Sequence, residues 1–116
     1  PEICFYSNDQ IGLCDIITCP APNFFSGKKT SLVDLQINEE ELLSRIKFIL
    51  DIAATNKIET LILGAFGCGV FGQNPTKVAE MMKNSLRQKY PFKKVIFAIP
   101  KSKHNKNYEA FKKVFE

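Results

Sequence analysis

The sequence has little with which to hold a metal and no segment long enough to span a bilayer. Its only histidine is His104, and its four cysteines, Cys4, Cys14, Cys19 and Cys68, form no Cys-x-x-Cys pair and stand at no zinc-ligand spacing with it. Neither a metal nor a redox cofactor is implied. No apolar run approaches the roughly 20 residues needed to cross a bilayer, and no basic stretch followed by an apolar one opens the chain. A membrane partner is therefore not expected. Three of the cysteines lie in apolar, strand-like runs (Ile3-Cys4-Phe5, Leu13-Cys14-Asp15 and Thr18-Cys19-Pro20), where a reduced thiol acts as a small buried hydrophobe. A reducing, cytoplasmic setting is the expectation. Internal repeats, low-complexity stretches and linkers are also missing from the sequence.

What is present is an ordinary globular composition. At 116 residues, 45% apolar and 24% charged, the chain suits one core and one domain spanning residues 1–116. The net charge of +4 hides an asymmetry: residues 1–73 carry 5 Lys/Arg against 9 Asp/Glu, whereas residues 74–116 carry 11 against 3. The basic part has few aromatic neighbours arranged as a stacking platform and no sequence-reading element, so it reads as a solvated face rather than a nucleic-acid site.

Strand and helix signals alternate. Ile3 to Tyr6 and Leu13 to Cys19 read as two strands around the turn formers Ser7-Asn8-Asp9-Gln10, the second stopped by Pro20-Ala21-Pro22-Asn23. A loop is expected from Phe24 to Gln36. Asn38, with Glu39, Glu40 and Glu41 after it, reads as a helix start, and Leu42, Ile46, Ile49, Leu50 and Ala53 share one face of a helix ending near Asn56. Leu61-Ile62-Leu63 is apolar throughout, like a strand buried on both faces. Asn74-Pro75 opens a second helix, with Val78, Met81, Met82 and Leu86 inward. Val95 to Ile99 forms another strand, and Tyr108 to Phe115 a last helix. The pattern implies α/β architecture with a mainly parallel sheet between helix layers.

The informative segment runs from Gly64 to Gly72, between a strand and a helix start. Four glycines there let the backbone turn several N–H groups into one concavity, and the helix that follows adds free N–H groups and partial positive charge. Phosphate is the natural guest. Gly67-x-Gly69-x-x-Gly72 also matches a dinucleotide fingerprint. That reading needs an acidic residue at the end of the next strand, where Ala98-Ile99-Pro100-Lys101 stands instead. A Rossmann-type oxidoreductase is thus the alternative rather than the leading reading.

Residues 61–71, Leu-Ile-Leu-Gly-Ala-Phe-Gly-Cys-Gly-Val-Phe, closely resemble the loop of microbial-type poly(ADP-ribose) glycohydrolases, a branch of the macrodomain fold. Asp15 to Asn23 resembles that family's strand with its Pro-Ala-Pro-Asn end. Arg45 to Ala53 resembles its next helix, and Val95 to Ile99, with Asn107 and Phe111, its closing strand and helix. The resemblance implies a three-layer α/β/α macrodomain-like fold and a site for ADP-ribose or poly(ADP-ribose). Within it Gly67, Cys68, Gly69 and Val70 would supply backbone donors to the diphosphate as Gly72 closes the loop. Phe71 would pack against the ribose, and Asn23 would face the same cleft. The family's catalytic signature, three glycines followed several residues later by Gln-Glu-Glu, is not in this sequence. Glycosidic cleavage needs a positioned carboxyl, so the catalytic residue is unassigned here. Pro1 and the opening strand favour the carboxyl-terminal part of a longer domain, incomplete at its amino-terminal side. A non-catalytic ADP-ribose-binding module is the other reading.

Overall fold

The computed structural model describes residues 2–7, 10–24, 31–88 and 90–116, with residues 2–7, 10 and 11 as backbone only. The elements run β1 (Glu2–Ser7), β2 (Gln10–Asp15), α1 (Leu32–Thr55), β3 (Thr60–Leu63), α2 (Pro75–Leu86), β4 (Lys94–Phe97) and α3 (Asn107–Phe115). β1 and β2 pair antiparallel from Glu2 opposite Asp15 to Ser7 opposite Gln10. β3 and β4 pair parallel, with Leu61 opposite Val95 and Leu63 opposite Phe97, and Ala98 extends the ladder by donating to the Leu63 carbonyl at 2.8 Å. Among the described residues the two pairs are separate two-stranded sheets. The expected α/β architecture is present, its parallel part carried by β3, α2 and β4. Asn8, Asp9 and the loop residues 25–30 lie outside the described residues, as does the side chain of Cys4.

The core forms where α1 and α2 meet the inner face of β3. Leu42, Ile46, Leu50 and Ala53 of α1 pack with Leu61, with Val78, Ala79 and Met82 of α2, and with Phe111 of α3. These positions follow the helical period read from the sequence, because only one stripe of each helix can leave water. Asn74 caps α2, its side-chain oxygen accepting from the N–H groups of Thr76 at 2.9 Å and Lys77 at 3.3 Å, while Pro75 occupies the first turn. That start agrees with the sequence reading.

Several expectations change. α1 begins at Leu32, seven residues before the expected start, because Ser31 supplies the cap by accepting from the Asp34 N–H at 3.0 Å. Asn38 is therefore inside the helix and buried, and Glu39, Glu40 and Glu41 are interior positions rather than a helix-start device. The helix does end as read, with Asn56 as its cap; Lys57 turns to φ 57° and donates to the Ala54 carbonyl, and Ile58 donates to Ala53. β2 stops at Asp15, so Ile16 to Cys19 are in no ladder among the described residues. β3 is not buried on both faces, because Ile62 is 64% exposed and its pairing partner Ile96 is exposed as well. Cys14, expected to be buried, is exposed.

Candidate functional site: the glycine loop and the strand end beside it

β3 delivers the chain to Gly64, and Asn74 receives it into α2. Between them the turn is tied by its own backbone. Cys68 donates to the Ala65 carbonyl at 3.0 Å, Gly72 to Gly69 at 3.0 Å, and Gln73 to Gly67 at 2.9 Å. Among the described residues the N–H groups of Gly69, Val70 and Phe71 donate to no backbone carbonyl. The Cys68 N–H, read from the sequence as a donor toward a ligand, is engaged inside the loop in this conformation.

Gly67 and Gly69 are glycines for different reasons. Gly67 has φ 72°, and a Cβ on it would lie 2.7 Å from the Ala21 Cβ and 2.9 Å from the Gln73 Cγ. Both the backbone and the packing exclude a side chain there. At Gly69 φ is not positive and a Cβ would meet nothing within 4 Å. No part of the described structure requires glycine at that position, and Val70 beside it is 87% exposed. The loop presents a bare backbone surface to solvent.

The segment carrying Asn23 is held against this loop from several directions. Gln73, 5% exposed, donates its side-chain amide to the Pro22 carbonyl at 2.8 Å and to Asn38 Oδ1 at 2.8 Å, while Asn38 Nδ2 donates back to Gln73 Oε1 at 3.0 Å. Phe24 N–H donates to the Phe71 carbonyl at 2.8 Å. Arg45 donates to the Pro20 carbonyl at 2.8 Å, fixing the same segment to α1. Asn107, opening α3, donates to the Cys68 carbonyl at 3.5 Å. Asn23 thus sits between Pro22, bonded to Gln73 at the end of the loop, and Phe24, bonded to Phe71 within it. From the sequence Asn38 reads as a helix cap and Arg45 as a helix residue, and neither they nor Gln73 stand out as part of this site. Their partners are 25 or more positions away, and no local spacing signals such a contact. The buried amides are fully paired, which removes the cost of desolvating them.

Burial pushes the Cys68 thiol up to about 11, and its Sγ lies 3.5 Å from the Phe66 carbonyl. Desolvation favours the neutral thiol, so Cys68 packs as a small protonated side chain. Glu39 forms an ion pair with Lys77, and Glu40 accepts from Gln36 at 3.2 Å, which occupies two members of the acidic cluster on α1. Among the described residues no group of three or more His, Cys, Asp or Glu could hold a metal ion, and no helix is long and apolar enough to cross a membrane.

A strand, a glycine turn tied to a Pro-Ala-Pro-Asn segment and a capped helix define a macrodomain-like α/β fold. The chain is similar to solved structures of bacterial poly(ADP-ribose) glycohydrolase from Deinococcus radiodurans. The complex with ADP-ribose matches at 30% identity and TM-score 0.82 over 90% of this chain and 44% of that one. A single-substitution mutant of that enzyme, also with ADP-ribose, matches at 28% identity and TM-score 0.88 over 100% of this chain and 50% of its own. The apo form matches at 30% identity and TM-score 0.81, over 90% and 44%. The resemblance to the microbial-type glycohydrolases therefore holds in structure as well as in sequence. The chain spans about half the length of these relatives. No protein-family model and no curated protein matches it.

Proposed function

We propose that this chain binds ADP-ribose on the glycine loop, as the carboxyl-terminal part of a microbial-type poly(ADP-ribose) glycohydrolase domain. Gly67, Gly69, Val70, Phe71 and Gly72 surround the diphosphate, Phe71 packs on the ribose, and Asn23 faces the same cleft. Cys68 shapes the loop through its position, its N–H being engaged with Ala65. The observation that carries the reading is Gly69. Neither its φ nor any neighbour demands glycine, so the bare backbone there leaves room for a guest, in the loop that matches the glycohydrolase sequence. Free N–H groups and the positive end of α2 suit an anion.

Cleavage of a glycosidic bond in ADP-ribose polymer, free or on modified proteins, would need a carboxyl supplied from outside this chain. The paired cluster on α1 is not assigned that task. The thiols suit a reducing compartment such as the cytoplasm. Thermal unfolding with ADP-ribose and, separately, with a nicotinamide dinucleotide tests the ligand. A rise in Tm with ADP-ribose supports the proposal. A rise with the dinucleotide alone would point to the oxidoreductase reading instead. ADP-ribose binding without turnover, after the uncovered half of the fold is restored, would favour a non-catalytic module.

A further inference from the structure

Two of the loop's N–H groups that donate to no backbone carbonyl among the described residues, those of Gly69 and Val70, are each backed by an anchored carbonyl. In a trans peptide the C=O and the N–H point in opposite directions, so holding one fixes the aim of the other. The Gly69 carbonyl accepts from the Gly72 N–H at 3.0 Å, which directs the Val70 N–H on the same peptide away from Gly72. The Cys68 carbonyl accepts from no backbone N–H among the described residues. Its donor is the side chain of Asn107, with Nδ2 at 3.5 Å, and the Gly69 N–H on that peptide accordingly points away from Asn107. Of the two anchors, only Asn107 comes from outside the loop.

Asn107 is placed by parts of the fold that take no part in the loop. It is half-buried at the first position of α3, and its own N–H donates to Asn105 Oδ1 at 3.1 Å. One turn on, Phe111 is 3% exposed in the core, and the Val114 carbonyl accepts from Lys83 Nζ of α2 at 2.9 Å. The carboxamide therefore rides on a helix whose position is set elsewhere. Gly69 is exposed and has no side chain to hold it. Without Asn107 its peptide unit would have no bond among the described residues to keep it from turning over.

We propose that Asn107 is a positioning residue: through the Cys68 carbonyl it holds the Gly69 N–H outward, toward the place of an anionic ligand. The carboxamide touches the loop and not the ligand. What 107 must supply is a donor. Aspartate has the same shape, but when ionised it offers acceptors alone and would face the Cys68 carbonyl oxygen with like charge. The effect on affinity rests on the reading of the loop as a diphosphate site, whereas the aim of the peptide is measurable without any nucleotide.

Residual dipolar couplings of the Gly69 and Val70 N–H groups, recorded on the isotope-labelled chain in a weakly aligning gel, read the two peptide planes separately. In Asn107→Asp and in Asn107→Ala the Gly69 coupling should change sign or fall to about half or less of its wild-type size. Val70 should keep its wild-type coupling in both, since its anchor is Gly72. Aspartate and alanine both suit the first turn of a helix, so Tm should move by less than about 4 °C. Calorimetric titration of Asn107→Ala, whose neutral side chain adds no repulsion, should show ADP-ribose bound about fivefold more weakly than by the wild type. An unchanged Gly69 coupling in both variants would overturn the proposal. Equal changes at Gly69 and Val70 would also overturn it, showing a general loosening of the loop. So would a changed Gly69 coupling in Asn107→Ala with ADP-ribose affinity intact. A wild-type chain that binds no ADP-ribose would refute the ligand reading alone and leave the couplings to decide the role of Asn107.

Discussion

The glycine loop and the gap of about 1060 Å³ between the two sheets, lined by residues 13–19 and 60–66, are built from neighbouring stretches of chain, yet their groups are paired differently. Around the loop every buried polar side chain has a partner: Gln73 and Asn38 answer each other, and Pro20, Pro22 and Phe71 each accept from a residue distant in sequence. Around the gap, Ile16 to Cys19 have no ladder among the described residues, and Leu13 and Ile62 face solvent. The first region is tied together by its own residues and exposes the bare backbone of Gly69 beside the Val70 side chain. The second carries the chemistry of an interior without an interior around it. Stability should therefore respond steeply to changes at packed positions of the loop and weakly to changes at side chains of the gap that already face solvent.

The largest contrast lies within the loop. Gly67→Val forces a β-branched residue to φ 72° against Ala21 and Gln73 and should cost about 3 kcal/mol by urea unfolding. Gly69→Val enters open space and should change stability by less than about 0.5 kcal/mol, while weakening ADP-ribose binding. Next, Gln73→Leu leaves the Asn38 amide and the Pro22 carbonyl unanswered and should cost about 2 kcal/mol. Adding Asn38→Leu should cost less than the sum of the two single changes, since the pair act together.

A third effect concerns pH. In the folded chain the Cys68 thiol is raised from 9.0 to about 11 by burial. Between these values the unfolded chain has lost the proton and the folded chain has kept it. Its contribution to stability is therefore present below about pH 9 and falls as pH rises toward 11. Unfolding at pH 8 and pH 10.5 should show a smaller decline in a Cys68→Ala variant than in the wild type. The smallest effect belongs to the gap. Ile62→Ser should change stability by less than about 0.5 kcal/mol because the side chain is already exposed. Its buried neighbour Leu61→Ala should cost about 2–4 kcal/mol. Equal losses at 61 and 62 would contradict the contrast between the buried and the exposed face of β3.

The same division explains what the sequence disclosed. The loop, the cap and proline of α2, the end of α1 and the core stripe were legible because each depends on local geometry or helical period. The start of α1 was misread. Leu32, Val33, Leu35 and Ile37 are exposed in the first turns, so they gave no inward stripe there, and the nearer Asn38 drew the assignment. The Ser31-x-x-Asp34 spacing was the missed signal. Asn38 and Gln73 form a contact across 35 residues, which no window of sequence contains. Ile16 to Cys19 read as strand because their residue types are right, but a ladder also needs a partner, and none lies beside them among the described residues. The loop was legible from its glycines and Asn23 only from a family likeness, and the bonds that hold their segments together are made by Pro22 and Phe24.

The most direct test of the central claim is calorimetric titration of ADP-ribose into the wild-type chain and into Gly69→Glu. Because a Cβ at Gly69 meets nothing within 4 Å, the variant should fold with unchanged Tm and lose binding, its carboxylate and side chain occupying the place of the diphosphate. Binding of equal strength in both proteins would contradict the assignment of the ligand to this loop.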